Sequence, residues 1–208
     1  MKRILAALGI GAATMAAADD GYYGKYETPR YEVVAEYGAA ELRSYAPHLL
    51  AVVAVRGDRR GALNQGFRTL AGYIFGGNAG GASVAMTSPV TQAPAQIDRA
   101  APVTQIGEDG VWEVTFMMPS DFTRDTLPAP NNDAVRFVEV PARQMLVATF
   151  SGRSTDRILT AQTDALRRLA DEAGIGLTGA PTFMFYDDPF TLPGNRRNEV
   201  GFEVRSGT

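Results

Sequence analysis

The chain contains no cysteine and a single histidine, His48. Without thiols there are no disulfides, no thiolate metal sites, no lipidated cysteine and no cofactor attached through thioether bonds. With one histidine, a His-Glu-x-x-His zinc motif cannot be written, and a zinc site would lack both Cys and a second His. A Ser–His–Asp triad would have to use His48, and the Gly-x-Ser-x-Gly elbow is missing. The glycine-rich run Gly76–Gly81 lacks the Lys-Ser/Thr of a P-loop and the spacing of a dinucleotide fingerprint, so it reads as a loop. Beyond the N-terminus no apolar stretch is long enough to span a bilayer.

What is present is ordinary in bulk: 208 residues, 45% hydrophobic and 21% charged. That suffices for one sizeable core or two fused halves. The first 18 residues follow a different logic. Lys2 and Arg3 precede an apolar, Ala-rich run, and Ala16-Ala17-Ala18 supplies small residues before Asp19. This is the pattern of a secretory signal peptide over residues 1–18, too short for a spanning helix. The expected location is periplasmic or secreted, with no membrane span after cleavage. Removing Lys2 and Arg3 leaves 18 basic against 23 acidic residues, a balance of −5 that argues against nucleic acid as a partner.

The strongest signal is an internal repeat. At an offset of 95, Val52 meets Val147, Gly57 meets Gly152, Leu63 meets Ile158 and Ile74 meets Leu169. At 98, Met86 meets Met184; at 86, Glu113-Val114-Thr115-Phe116 meets Glu199-Val200-Gly201-Phe202. The change of offset places one loop, about 12 residues longer, in the first copy. Each copy, about residues 40–118 and 135–206, reads strand, strand, helix, strand, strand.

Local signals place the elements. Residues 19–30 form a Tyr- and Gly-rich arm. Residues 31–36, 41–45, 49–55, 83–90 and 111–118 read as strands, with a polar loop over 94–110. A helix over about 60–75 carries the stripe Leu63, Phe67, Leu70, Ala71, Ile74 and stops at Gly76-Gly77. The second half has strands at 134–140, 145–150, 182–186 and 199–204. Ser154 or Thr155 caps a helix to about Ala173, with the stripe Ile158, Leu159, Ala165, Leu166, Leu169, Ala170 and a favourable Asp164–Arg168 spacing. The fold class is α+β: pseudo-symmetric ββαββ halves, an antiparallel sheet or distorted barrel with two helices on one face.

Several strings carry a resemblance. They are Glu41-Leu42-Arg43-Ser44-Tyr45, Leu50-Ala51-Val52, Gly66-Phe67 before Tyr73-Ile74-Phe75-Gly76, Met86-Thr87-Ser88-Pro89-Val90, Phe116-Met117-Met118-Pro119-Ser120, Leu127-Pro128-Ala129-Pro130 and Arg196-Arg197-Asn198-Glu199-Val200. In this order they resemble the SOUL haem-binding protein family over residues 31–204. The resemblance implies a duplicated α+β domain, here residues 31–206, that binds haem or a related tetrapyrrole non-covalently. It implies a groove beside the first helix and the loop before the last strand. Carried onto this chain, the groove residues are Asn64, Phe67, Ala71 and Ile74 with Tyr186, Phe190 and Arg196. Some members carry a candidate axial His inside the Glu-x-Arg-x-Tyr string; here that position is Ser44, and His48 is the candidate ligand.

Three functions follow as expectations. The first is a non-enzymatic tetrapyrrole binder for haem buffering or transport. The second is a module for other apolar small molecules, of the effector-binding-domain type. The third is a hydrolase using Glu113 or Glu199, which occupy matching strand positions, as a base.

Overall fold

The computed structural model describes residues 20–95, 110–188 and 190–205. The expected signal segment, and most of the expected 94–110 loop, lie outside these described residues.

A small hairpin, β1 (Tyr22–Tyr23) and β2 (Tyr26–Glu27), precedes the main fold. Then come β3 (Tyr31–Tyr37), β4 (Ala40–Tyr45), β5 (His48–Gly57), α1 (Arg59–Ile74), β6 (Val90–Pro94) and β7 (Gly110–Met117). The second half follows as β8 (Arg136–Val140), β9 (Arg143–Phe150), α2 (Asp156–Ala173), β10 (Leu177–Phe185) and β11 (Asn198–Val204). Nine strands form one antiparallel sheet in the order β3-β4-β9-β11-β10-β6-β7-β5-β8. Among the described residues the sheet ends on β3 and β8, so of the two expected forms, sheet or distorted barrel, it takes the open sheet.

The strand order displays the repeat as geometry. A pseudo-dyad passes between β10 and β6, relating β9-β11-β10 to β5-β7-β6. The first strand of each half crosses over: β4 pairs with β9 and β8 pairs with β5. Each half is thus completed by a strand of the other.

Both helices lie on one face. Asp58 caps α1 by accepting from the Gly61 N–H at 2.9 Å, and the chain leaves the helix through Gly76 at φ 104°. The buried face of α1 is Ala62, Gly66, Leu70, Tyr73 and Ile74, rotated from the expected stripe. Gly66 is the reason. A Cβ there would lie 2.6 Å from Val114 Cβ, so the helix rests its smallest residues on β7 and turns Phe67 and Ala71 to the flank. Thr155 caps α2, and Gly174 closes it in the left-handed conformation at φ 69°. Asp164 pairs with Arg167 at 3.8 Å rather than with Arg168.

The strand expected at 83–90 begins only at Val90. Pro89 has no N–H to give a ladder, and Asn78 shapes the preceding loop. Its Nδ2 donates to the Tyr73 and Ala82 carbonyls, each at 2.8 Å, and its Oδ1 accepts from Ala82 N at 2.9 Å. The main core fills the space between helices and sheet, with Trp112, Val114, Phe116, Phe183 and Phe202 facing Leu70, Ile74, Leu159 and Leu166. The helix-free face carries a second cluster: Tyr45, Met145, Val147, Met184 and Tyr186, with Tyr23 and Tyr31 packed on it.

Candidate functional site

The outer surface of α1 is one candidate. Phe67 sits at its margin, 39% exposed, with its ring 5.4 Å from Phe116. Ala71 follows one turn later and Phe75, 72% exposed, one turn after that. The i, i+4, i+8 spacing aligns the three as an apolar stripe along the helix. Arg60, Asn64 and Arg68 run beside it at the same spacing, all exposed. Among the described residues neither arginine has an ion-pair partner. Apart from the helix's own backbone, nothing among the described residues lies within 4 Å of where a Gly72 Cβ would stand, so the strip is open there. α2 has no equivalent: outside its buried face it carries Arg157, Asp164, Arg167, Arg168, Asp171 and Glu172.

The helix-free face holds a buried ionic cluster. Glu199 of β11 is 0% exposed. Arg43 of β4 reaches it with Nη1 and Nη2 at 3.1 Å. Arg197 donates from Nη2 at 2.7 Å and Nε at 3.1 Å. The hydroxyls of Tyr186 (2.8 Å) and Thr149 (3.0 Å) complete the shell. Strand periodicity assembles it. Glu41, Arg43 and Tyr45 alternate onto this face of β4; Arg43 Nε meets Glu41 at 2.7 Å and its Nη1 meets the Tyr45 hydroxyl at 3.2 Å. Arg197 lies over the Tyr186 ring at 4.3 Å, and Arg43 over Tyr31 at 4.3 Å.

Burial pushes the Glu199 pKa up, but Arg43 and then Arg197 outweigh it, so the carboxyl stays ionised below its ordinary range. Burial, with Glu199 nearby, raises the Tyr186 phenol well above its usual value. Tyr45 is also raised, by burial against the opposing pull of Arg43. Glu199 therefore has no lone pair free to take a proton from water, and two guanidiniums already neutralise it. Glu113, at the matching position of β7, is half-buried and paired with Arg136. Neither glutamate has the setting of a general base.

The residues expected to line one groove are divided by the sheet. Asn64, Phe67 and Ala71 lie on the outer side of α1, whereas Ile74 is buried in the main core. On β10, Phe183 and Phe185 face the helices, and Met184, with Tyr186 just past the strand, faces the other way. Tyr186 is thus across the sheet from Phe67. Phe190 is 94% exposed in the loop before β11, where Arg196 Nε donates to the Thr191 carbonyl at 2.8 Å. Leu49, Ala51, Val53 and Val55 of β5 belong to the helix-side core, so His48 alternates onto the helix-free face, opposite Val140. Its Nδ1–H donates to the Ala46 carbonyl at 2.9 Å, and burial lowers its pKa.

For a tetrapyrrole the fit divides in the same way. The α1 strip offers an apolar surface for a flat ring and two cations for its acidic edge. His48 cannot serve as axial ligand to a ring on that strip, because the sheet lies between them. No group of three or more potential metal ligands occurs among the described residues, and no helix among them is long and apolar enough to cross a membrane. Sequence reasoning missed Phe75, one turn beyond Ala71. It also missed the Arg43–Tyr45 arm of the cluster, for which the two-residue spacing of Glu41, Arg43 and Tyr45 was the available sign.

Known structures share this architecture. The C-terminal domain of EcmrR superposes with a TM-score of 0.60 at 14% identity, over 81% of this chain and 98% of that one. An uncharacterized conserved protein from Listeria innocua gives 0.60 at 12% identity, over 83% and 95%. A hydrolase from Listeria innocua gives 0.54 at 12% identity, over 82% and 94%. At these identities the likeness establishes the fold alone: an open α+β sheet of the effector-binding-domain type. No curated protein matches the chain in sequence. The profile of the SOUL heme-binding proteins matches residues 26–203, and the chain belongs to that family.

Proposed function

We propose that this SOUL family member is an exported, non-covalent haem-binding protein that holds the macrocycle on the outer face of α1 without a histidine ligand, for haem buffering or transport. The observation that carries the reading is the Phe67–Ala71–Phe75 stripe bordered by Arg60 and Arg68. Covering a phenylalanine with a ligand ring removes apolar surface from water and contributes about 1.5–3 kcal/mol. Each solvent-exposed arginine adds roughly 0.2–1 kcal/mol against a propionate and sets the orientation. In this reading the protein is a carrier, and Asn64 hydrogen-bonds at the polar margin of the strip.

Titration of hemin followed by the Soret band tests it. The unaltered chain saturates at micromolar hemin. Phe67→Ser weakens binding roughly tenfold or more, and His48→Ala leaves both affinity and spectrum unchanged. The absence of a saturable Soret shift overturns the haem reading; a spectral change in His48→Ala overturns the placement on α1. Export is tested by sequencing the N-terminus of the protein recovered outside the cytoplasm. A start at Asp19 supports it, and retention of the uncleaved chain in the cytoplasm excludes it. The exposure of Phe67 and Phe75 also suits a second reading, in which the same strip takes other flat apolar molecules. A thermal-shift panel in which such a compound outcompetes hemin would select it.

A further inference from the structure

The hairpin β1–β2 stands outside the nine-stranded sheet as a separate two-stranded sheet. It turns at Gly24 (φ 60°), and its base is closed by Thr28 N donating to the Gly21 carbonyl at 2.8 Å. Two links tie that base to the body. The Glu27 carbonyl accepts from Ser88 N at 2.9 Å, and the Glu27 carboxylate accepts from Ser120 N at 3.1 Å. At the other end a single side chain, Tyr23, reaches the helix-free face.

There Tyr23 meets three groups of the body. Its ring stands edge-on to Tyr186, centroids 5.1 Å apart. The Arg197 guanidinium lies 5.6 Å from its centroid. Its hydroxyl donates to Asp187 at 3.1 Å. Each of the three also has a partner within the body. Tyr186 and Arg197 are fixed by Glu199, and the Asp187 carboxylate is fixed by Arg197 N–H at 2.7 Å. An aromatic edge, a cation for a ring face and a carboxylate for a hydroxyl, all held in advance, are what a receptor for a phenol requires. Tyr23 is half-buried, so the position it fills opens to solvent on one side.

We propose that the helix-free face carries a binding site for an uncharged hydroxyaryl ligand, formed by Tyr186, Asp187 and Arg197, and that Tyr23 of the chain's own hairpin occupies it as an internal ligand. The hairpin is then a strap that a competing phenol displaces. The carboxylates of Asp187 and Glu199 disfavour an anionic aromatic acid at the same place. This site lies across the sheet from α1 and stands or falls independently of haem binding.

The test is rescue of a vacated site. Tyr23→Ala removes the phenol group and leaves the body of the site in place. Phenol should then raise the melting temperature of the Tyr23→Ala chain with rising concentration, by about 3–6 °C at roughly tenfold excess over its Kd. It should leave the unaltered and Tyr23→Phe chains unmoved at the same concentration. Toluene, which lacks the hydroxyl, should bind roughly tenfold more weakly than phenol. No phenol-dependent shift in Tyr23→Ala, an equal shift in the unaltered chain, or equal binding of toluene and phenol overturns the proposal. A second variant does not depend on Tyr23→Ala folding. Asp187→Asn should loosen the strap and accelerate exchange of the Thr28 amide at least severalfold; an unchanged rate also overturns it.

Discussion

Glu199 receives hydrogen bonds from four side chains, Arg43, Arg197, Thr149 and Tyr186, at zero exposure. Such a group is costly to leave unpaired and of modest net worth when paired. Arg43→Met strands part of the charge and should destabilise by about 3–5 kcal/mol. Arg43→Met with Glu199→Leu removes both ends of the Arg43–Glu199 pair and should cost less than the single change, as read from urea midpoints. The cluster also contributes to both limbs of the stability–pH curve. The Glu199 pKa is lower folded than unfolded, so its contribution is complete above about pH 4.3 and is lost as pH falls through the folded value. Tyr45 and Tyr186 are raised in the folded chain, so their contribution is complete below about pH 10 and is lost as pH climbs past it. The acid limb of a stability–pH curve should flatten in Glu199→Gln, and the alkaline limb in Tyr186→Phe. An alkaline limb identical in Tyr186→Phe and the unaltered chain would contradict this account.

At the scale of an element, the two glycines of α1 do opposite things. A Cβ at Gly66 would meet Val114 at 2.6 Å, whereas one at Gly72 meets nothing within 4 Å. Gly66→Ala should therefore force the helix off β7, at about 1–3 kcal/mol. Gly72→Ala should stabilise by up to about 1 kcal/mol, because alanine is the better helix former at an exposed site. Thermal melts of the two variants should move in opposite directions. The same pair explains what the sequence could and could not reveal about this helix. Period and glycine stops placed α1 within a residue of its true ends. The buried face was misjudged because a contact made by an absent side chain leaves no mark in a hydrophobic pattern. For the same reason Phe67 read as one stripe with Leu70 and Ile74, although packing leaves it at the margin of the helix. The repeat matched Glu199 to Glu113, but only long-range pairing with Arg43 buries Glu199, and no local pattern marks that pairing.

For the molecule as a whole, the repeat was legible from offsets, but the exchange of β4 and β8 was not. Strand pairing across 100 residues is set by the tertiary packing that buries both faces, and each half on its own reads as self-sufficient. The exchange has a consequence for folding. The sheet of the second half is extended by β4 along Ala40–Tyr45, and that of the first half by β8 along Arg136–Val140. At the dyad the first residues of the two helices meet: Arg59 Nε bonds Asp156 at 2.5 Å, while Arg59 Nη2 donates to the Ser154 carbonyl at 2.8 Å. Arg59 is buried, so separating the halves strands a guanidinium from its main partners and opens the β6–β10 edge. A chain cleaved in the 120–134 connection should stay assembled. Its two fragments, made separately, should each lack a cooperative thermal transition and regain one when mixed at equal concentration. Arg59→Ala should weaken that reassociation more than Arg136→Ala, whose ion pair with Glu113 lies at the surface. Circular dichroism melts of each fragment and of the mixture decide it. A cooperative melt from either fragment alone would mean that the exchanged strands are not what joins the halves.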